Sequence, residues 1–182
     1  HRDAFLAWRD SAATPGPAVA DAPPAGDAGG CVVGVSVDLD DTLWPTMPPL
    51  IEAQKARDAA LAELLPKVHA SGAFSASAFR GATKALMAEQ PLLDHDFTAL
   101  QQIALRRLAV EHGDDPENAN RVLERFLDAR SDVFAHFFAE TVPCLEALRA
   151  RLGLRVGSVT NGNCDVRRHE AVSANFDFAV TA

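Results

Sequence analysis

This sequence of 182 residues has no long apolar run, little cysteine and no excess of positive charge. No apolar stretch approaches the roughly 20 residues that a membrane-spanning helix requires, so we expect no membrane partner. The three cysteines (Cys31, Cys144 and Cys164) lack the spacing of a disulfide framework or a zinc site. This indicates reduced thiols in an intracellular protein, cytoplasmic or organellar. The net charge of −8 argues against nucleic acid as a partner, and nothing in the sequence indicates an oligomeric state.

The first 30 residues differ in composition from the remainder. Residues 11–30 are almost entirely Ala, Pro, Gly, Ser, Thr and Asp. Such a segment buries too little apolar surface to offset the entropy lost on ordering. We therefore predict that residues 1–30 form a flexible segment or linker. Since the chain begins at His1 and not at a methionine, we interpret it as a fragment or a processed product.

The rest of the sequence predicts an α/β fold with a large helical insertion. Cys31–Val37 is a short apolar run that predicts a strand buried on both faces. Four helical patterns follow before residue 138: Pro49–Leu65, Ser77–Gln90, a third from Asp96 to Gly113, and a fourth with Asp115 as N-cap and Pro116 at its first position. The order then becomes helix, strand, helix, strand: Pro143–Leu152, Leu154–Thr160, Asp165–Ser173 and Phe176–Val180. This order predicts a Rossmann-like parallel sheet with crossover helices.

Two carboxylates follow the first strand, in the pattern Asp38-x-Asp40. Ligand sites of open α/β sheets lie at the carboxyl ends of the strands. A carboxylate there can attack phosphorus, and a second can protonate the leaving oxygen and then activate water. Backbone N–H groups after the strand, beginning with Leu39, can cradle phosphate oxygens. Because two carboxylates and a phosphate repel one another, this chemistry needs a cation, and Mg²⁺ suits hard oxygen ligands.

Ser158-Val159-Thr160-Asn161-Gly162 ends the second predicted strand. A hydroxyl here can donate to a phosphate oxygen, and Gly162 allows close approach of the backbone. The Asn-Gly pair is also typical of a hairpin turn. The segment that follows has a helical pattern, which disfavours the hairpin.

The segment DLDDTLW (38–44) resembles the first motif of the haloacid dehalogenase (HAD) superfamily, and VTNGN (159–163) resembles its second motif. The resemblance implies a core made of residues 31–44 and 141–182, incomplete here, and a helical cap over residues 45–140. It implies Asp38 as nucleophile and metal ligand, and Asp40 as acid/base and metal ligand through its carbonyl. It also implies Thr160 and the backbone N–H of Asn161 as phosphate ligands.

Asp40 favours phosphate transfer over carbon–halogen hydrolysis, because the dehalogenase members resemble this pattern only at the first aspartate. The sequence therefore predicts a Mg²⁺-dependent phosphomonoester hydrolase that acts on a small phosphorylated metabolite through an aspartyl phosphate. A narrower resemblance is to the flavin mononucleotide and riboflavin-pathway phosphatases. It rests on DLDDTLWP, the proline-rich segment that follows it, and a helix that contains acidic residues and Gln.

Two further family motifs, a lysine and an acidic pair that holds the metal, are not found. The only lysines are Lys55, Lys67 and Lys84, all within the helical insertion. We interpret this as truncation after the third strand and expect the fragment alone to be inactive. The alternative is a catalytically incomplete HAD-like fragment or pseudo-enzyme that serves as a binding module. The presence or absence of the lysine and the acidic pair downstream distinguishes the two.

Overall fold

The computed structural model of the chain describes residues 32–93 and 95–181. Its elements, in chain order, are β1 (Gly34–Val37), α1 (Met47–Leu64), α2 (Pro66–Ser71), α3 (Ala76–Glu89), α4 (Phe97–His112), α5 (Asn118–Ser131), α6 (Thr141–Leu152), β2 (Arg155–Thr160), α7 (Glu170–Ser173) and β3 (Phe178–Thr181). The linker predicted over residues 1–30, and Cys31, lie outside the described residues.

The three strands form one parallel sheet in the order β1-β2-β3, so β2 is central. Val37 pairs with Ser158, and Thr160 pairs with Thr181. The parallel register brings the carboxyl ends of all three strands to the same edge. The predicted parallel sheet is confirmed, and its central strand carries the second motif at the edge where β1 delivers the first.

Helices α1 to α5 form a block with a hydrophobic core of its own. Asp96 is the N-cap of α4, where its Oδ1 accepts a hydrogen bond of 2.8 Å from the Ala99 amide, and Gly113 ends that helix with a φ of 78°. Both ends agree with the sequence prediction. The core consists of Ala53, Ala60, Leu61, Leu64, Leu65, Val68, Phe74, Leu86, Leu100, Ala104, Leu105, Ala109, Ala119, Val122, Leu123, Phe126 and Leu127.

A second hydrophobic cluster lies against the sheet. It contains Leu39, Leu43, Trp44, Val133, Leu145, Val156, Cys164, Val166 and Val172. The Trp44 indole stacks on the Phe137 ring, with centroids 5.3 Å apart and planes 4° apart. Most buried apolar residues of the insertion thus form a core separate from the one beside the sheet, which Val133 and Phe137 join. The exact cap boundaries at 45 and 140 stay a prediction.

Several element boundaries differ from the predicted ones. Asp115 does not cap α5; its Oδ1 accepts from the Glu117 amide in a preceding turn, and the helix begins at Asn118. The helix predicted over Asp165–Ser173 breaks at His169 into a 3₁₀ turn and the short α7, because His169 takes an extended φ of −124°. A further helix, α2, begins at Pro66, where the first helix was expected to end.

The first strand is less buried than its apolar sequence predicted. Val32 and Val33 are exposed and precede the strand, and Ser36 within β1 is exposed as well. In the described sheet β1 is an edge strand with β2 on one side only, so part of its surface faces solvent. None of the described helices is long and apolar enough to cross a membrane.

Candidate active site

The turn after β1 places the first motif. Asp41 takes a left-handed φ of 57°, and its amide donates to the Trp44 carbonyl at 2.8 Å. Aspartate tolerates this region better than most residues, which suits it to a tight turn. The Thr46 amide donates to Asp41 Oδ1 at 2.9 Å, and this backbone hydrogen bond lowers the pKa of Asp41. The turn is therefore fixed by its own residues.

Asp38, the predicted nucleophile, is exposed at the end of β1. The Thr42 hydroxyl donates to Asp38 Oδ2 at 3.1 Å. Thr42 also donates its amide to the Leu39 carbonyl at 3.2 Å, which supports the turn. One carboxylate oxygen is thus oriented by the turn, while the group remains accessible to a substrate.

The predicted phosphate ligands occupy different environments. Leu39 buries its side chain completely in the core beside the sheet, so only its backbone faces the turn. Thr160 is buried at the end of β2, and its Oγ1 accepts a hydrogen bond of 3.0 Å from the Gly162 amide. That bond leaves the hydroxyl proton of Thr160 free to be donated. Asn161 is exposed in the bend that follows.

Gly162 is where the two motifs meet. A methyl group on its Cα would lie 3.1 Å from Asp40 Oδ2 and 3.3 Å from Thr160 Oγ1. Asp40 comes from the turn after β1, and Thr160 from the end of the neighbouring strand. The fold therefore brings a carboxylate and a hydroxyl to one small space, and glycine keeps that space open.

Asp40 is held by two residues that the sequence analysis did not select. Nη2 of Arg130, in the last turn of α5, donates to Asp40 Oδ1 at 2.6 Å and also to Oδ2. Nε1 of Trp44 donates to Asp40 Oδ1 at 3.1 Å. The Arg130 side chain is 3% exposed and that of Asp40 is 23% exposed. No local pattern identifies Arg130, which lies 90 residues from Asp40 and has the ordinary appearance of a cation near a helix C-terminus.

Comparison with known proteins gives a structural relative. No protein-family model matches the chain, and no curated protein matches it. A solved structure, the 2-haloacid dehalogenase from Pseudomonas syringae pv. Tomato DC3000, is 33% identical with a TM-score of 0.71. The match covers 83% of this chain and 64% of that one. The chain has the fold of the HAD superfamily.

The HAD resemblance of the two motifs and the predicted fold class are thereby confirmed. The chain spans 64% of the length of its dehalogenase relative. Both motifs lie within the part described here, at adjacent carboxyl ends of the sheet. The roles expected of Asp38, Leu39, Asp40, Thr160 and Asn161 stay predictions, to which the structure adds the positions and hydrogen bonds of these residues.

The candidate site offers carboxylate oxygens of the kind that magnesium binds. Mg²⁺ is commonly held by one or two carboxylates, with substrate phosphate and water as the other ligands. Asp38 offers an exposed carboxylate of this kind, whereas the Asp40 carboxylate is engaged by Arg130 and Trp44. Across residues 32–93 and 95–181, no group of three His, Cys, Asp or Glu could hold a metal ion. These oxygen donors suit magnesium, and its other ligands would be substrate phosphate and water.

Cys164 lies near this site but is unsuited to be a nucleophile. It is fully buried, and burial raises the pKa of its thiol to about 11, with the Arg130 charge acting in the opposite direction. A thiol with this pKa stays protonated at neutral pH, whereas the thiolate is the reactive form. Cys144 and Cys164 are both free thiols, as expected from their spacing.

A cavity of about 210 Å³ opens at the same edge of the sheet. Asn163 and Asp165 line it after β2, Thr181 lines it from the end of β3, and Asp96 and Thr98 line it from the start of α4. The Asp165 pKa is affected most by desolvation, which raises it, but the hydrogen bonds and charge of Arg167 together lower it. The cavity is therefore polar and contains a carboxylate held in its ionised form.

Proposed function

We propose that the complete protein is a Mg²⁺-dependent phosphomonoester hydrolase that acts on a small phosphorylated metabolite through an aspartyl phosphate on Asp38. The observation that carries this proposal is the convergence at Gly162 of the Asp40 carboxylate and the Thr160 hydroxyl, both within 3.3 Å of one added methyl position. The HAD fold supports a hydrolase of the HAD kind.

In the first half-reaction, the exposed Asp38 carboxylate attacks phosphorus, and the bond between phosphorus and the ester oxygen breaks. The leaving oxygen takes a proton from Asp40 and departs as an alcohol. The Thr160 hydroxyl, whose oxygen already accepts from the Gly162 amide, donates a hydrogen bond to a phosphate oxygen. The backbone N–H groups of Leu39 and Asn161 complete the cradle for the phosphate.

In the second half-reaction, water attacks the phosphorus of the aspartyl phosphate, and the bond between phosphorus and Asp38 oxygen breaks. Asp40 takes a proton from that water, which restores Asp38 as a carboxylate and Asp40 as a protonated acid and releases inorganic phosphate. Asp38 and the backbone carbonyl of Asp40 would hold the magnesium ion. The ion would supply positive charge against the carboxylates and the phosphate.

A second candidate activity is hydrolytic removal of halogen from a 2-haloacid. It is favoured by the 33% identity to a 2-haloacid dehalogenase. In that reaction Asp38 displaces halide from carbon, and water hydrolyses the resulting ester. Such a displacement releases halide, which needs no proton, so it gives Asp40 no role as an acid.

The test is turnover by the complete protein with Mg²⁺, using p-nitrophenyl phosphate, flavin mononucleotide and 2-chloropropanoate. We expect phosphate release from an ester and no chloride release. Asp38→Asn should abolish turnover while leaving the thermal unfolding midpoint close to wild type. The matched control is Asp58→Asn, on α1, whose carboxylate is 59% exposed and contacts Arg57.

Wild-type turnover by Asp38→Asn would refute the nucleophile assignment. Chloride release without phosphate release would establish the second candidate. If wild-type protein carries out neither reaction, the alternative of a binding module replaces both.

A further inference from the structure

Arg130 joins the helical block to the acid/base of the proposed reaction. It is the penultimate residue of α5, a helix whose upstream residues Val122 and Phe126 belong to the core of that block. Its guanidinium leaves this core and reaches Asp40, 90 residues earlier in the chain. A residue of the insertion thus contacts the first motif directly.

The contact fixes the orientation of the Asp40 carboxylate. Nη2 of Arg130 donates to both carboxylate oxygens, and Nε1 of Trp44 donates to Oδ1. Trp44 is itself fully buried and stacked on Phe137, so it is a rigid donor. Rotation of the carboxylate would break these hydrogen bonds, and charge-assisted bonds are the strong ones.

Stability alone is a weak reason for this ion pair. Replacing a buried pair by apolar residues of similar volume is often neutral or stabilising. Arg130 also leaves Nη1 buried without a hydrogen-bond partner among the described residues. An unsatisfied buried donor is destabilising, because it loses its hydrogen bonds to water and gains none in the protein. The position therefore carries a cost that an apolar side chain would avoid.

We infer that Arg130 is a positioning residue, which holds the Asp40 carboxyl group where, in its protonated form, it delivers a proton to the leaving oxygen. This inference rests on the proposed phosphatase function. It predicts a specific defect: loss of Arg130 slows proton delivery more than it slows attack by Asp38. Esters with poor leaving groups should then suffer more than esters whose leaving group needs no proton.

The experiment compares two esters of similar size in the complete protein with Mg²⁺. p-Nitrophenyl phosphate releases a phenolate that needs little protonation, whereas 4-nitrobenzyl phosphate releases an alcohol that needs a proton. The quantity measured is kcat/KM, because it reports the steps up to formation of the aspartyl phosphate. General acid catalysis contributes about 10²–10⁴-fold, and a displacement of about 1 Å can cost about 10²-fold.

For Arg130→Met we expect kcat/KM to fall about 100-fold with the benzyl ester and less than about 10-fold with the nitrophenyl ester. Arg130→Lys, which keeps the charge but loses the guanidinium fork, should show a smaller difference in the same direction. Guanidinium ion added to Arg130→Ala should raise kcat/KM more for the benzyl ester than for the nitrophenyl ester.

The matched control is Arg57→Met. Arg57 is another buried arginine of the helical block, whose guanidinium lies 5.0 Å from the centroid of the Phe74 ring and contacts Asp58 instead of Asp40. Its loss should lower the thermal midpoint, with any change in activity equal for the two esters. This control separates damage to the block from loss of positioning.

Equal losses for the two esters in Arg130→Met, or the same difference in Arg57→Met, would overturn the inference and leave the proposed function standing. An increase in activity would also overturn it, because Arg130 would then restrain Asp40 unproductively. If Arg130→Met does not fold, Arg130→Lys decides by the same comparison. If wild-type protein hydrolyses neither ester, the proposed function fails and the inference fails with it.

Discussion

Gly162→Ala tests the geometry of the candidate site with one methyl group. The new carbon would lie 3.1 Å from Asp40 Oδ2 and 3.3 Å from Thr160 Oγ1, both closer than an ordinary van der Waals contact. Asp40 must then move by about 0.3 Å, since about 3.4 Å is the lower end of ordinary contact distances. The carboxylate is already held by Arg130 and Trp44, so this movement strains those hydrogen bonds.

The magnitude follows from that displacement. If about 1 Å of misplacement costs about 10²-fold, about 0.3 Å costs about 4-fold, and obstruction of the phosphate site adds to it. We expect kcat/KM to fall about 3- to 30-fold, which corresponds to about 0.6–2 kcal/mol of transition-state stabilisation. The thermal midpoint should change little, because replacing glycine by alanine reduces the entropy of the unfolded chain and offsets part of the strain.

The assay is phosphate release by the complete protein, together with thermal unfolding. The control is Gly81→Ala in α3, where an added methyl group meets no atom within 4 Å. That variant should keep full activity and gain about 0.5–1 kcal/mol of stability, since alanine is the better helix former. A folded Gly162→Ala protein with wild-type kcat/KM would show that Asp40 and Thr160 do not enclose the reacting group.

Two predictions concern stability. Leu105→Ala should lower the free energy of unfolding by about 2–5 kcal/mol, because Leu105 is fully buried in the core of the helical block. Val110→Ala on the same helix, at a position 67% exposed, should cost under about 0.5 kcal/mol. Similar losses of stability in the two variants would contradict the assigned core. The hydrogen bond from the Val156 amide lowers the pKa of Asp177, and Arg149 lowers it further. The ionised Asp177 therefore stabilises the fold above its unfolded pKa of about 3.9, and this stabilisation is lost as pH falls through the lowered folded pKa. In chemical denaturation, Asp177→Asn should therefore be less stable than wild type near neutral pH and approach it below about pH 4, whereas a difference independent of pH would refute the assignment.

The sequence predicts the elements of this fold well where a local signal marks their ends. Asp96 and Gly113 bracket α4 as expected, because an N-cap carboxylate and a left-handed glycine act within one turn. Asp115 carried a similar signal, but its side chain capped a preceding turn and α5 began three residues later. Cap signals of this kind identify a helix start only to within a turn.

The residues of the candidate site were also predictable only where a local signal marks them. Asp38 and Asp40 follow β1 and Thr160 ends β2, so parallel pairing of the two strands is enough to place all three at one edge. Arg130 has no such local signal, because its partner is 90 residues away and its helix presents it as one more polar residue. Contacts between distant segments depend on how the helical block packs, and local sequence patterns carry no information about that packing.

Helix α5 connects stability to chemistry in this chain. Val122 and Phe126 anchor it in the helical core, while its last turn supplies Arg130 to Asp40, and the Ser131 hydroxyl accepts the Asp165 amide at 3.0 Å. A shift of this helix along its axis would move the guanidinium, and with it the carboxylate, by a similar distance. Packing in the block therefore sets the position of Asp40, the proposed acid/base. Core substitutions near the C-terminal end of α5 should affect activity on poor leaving groups before they unfold the protein.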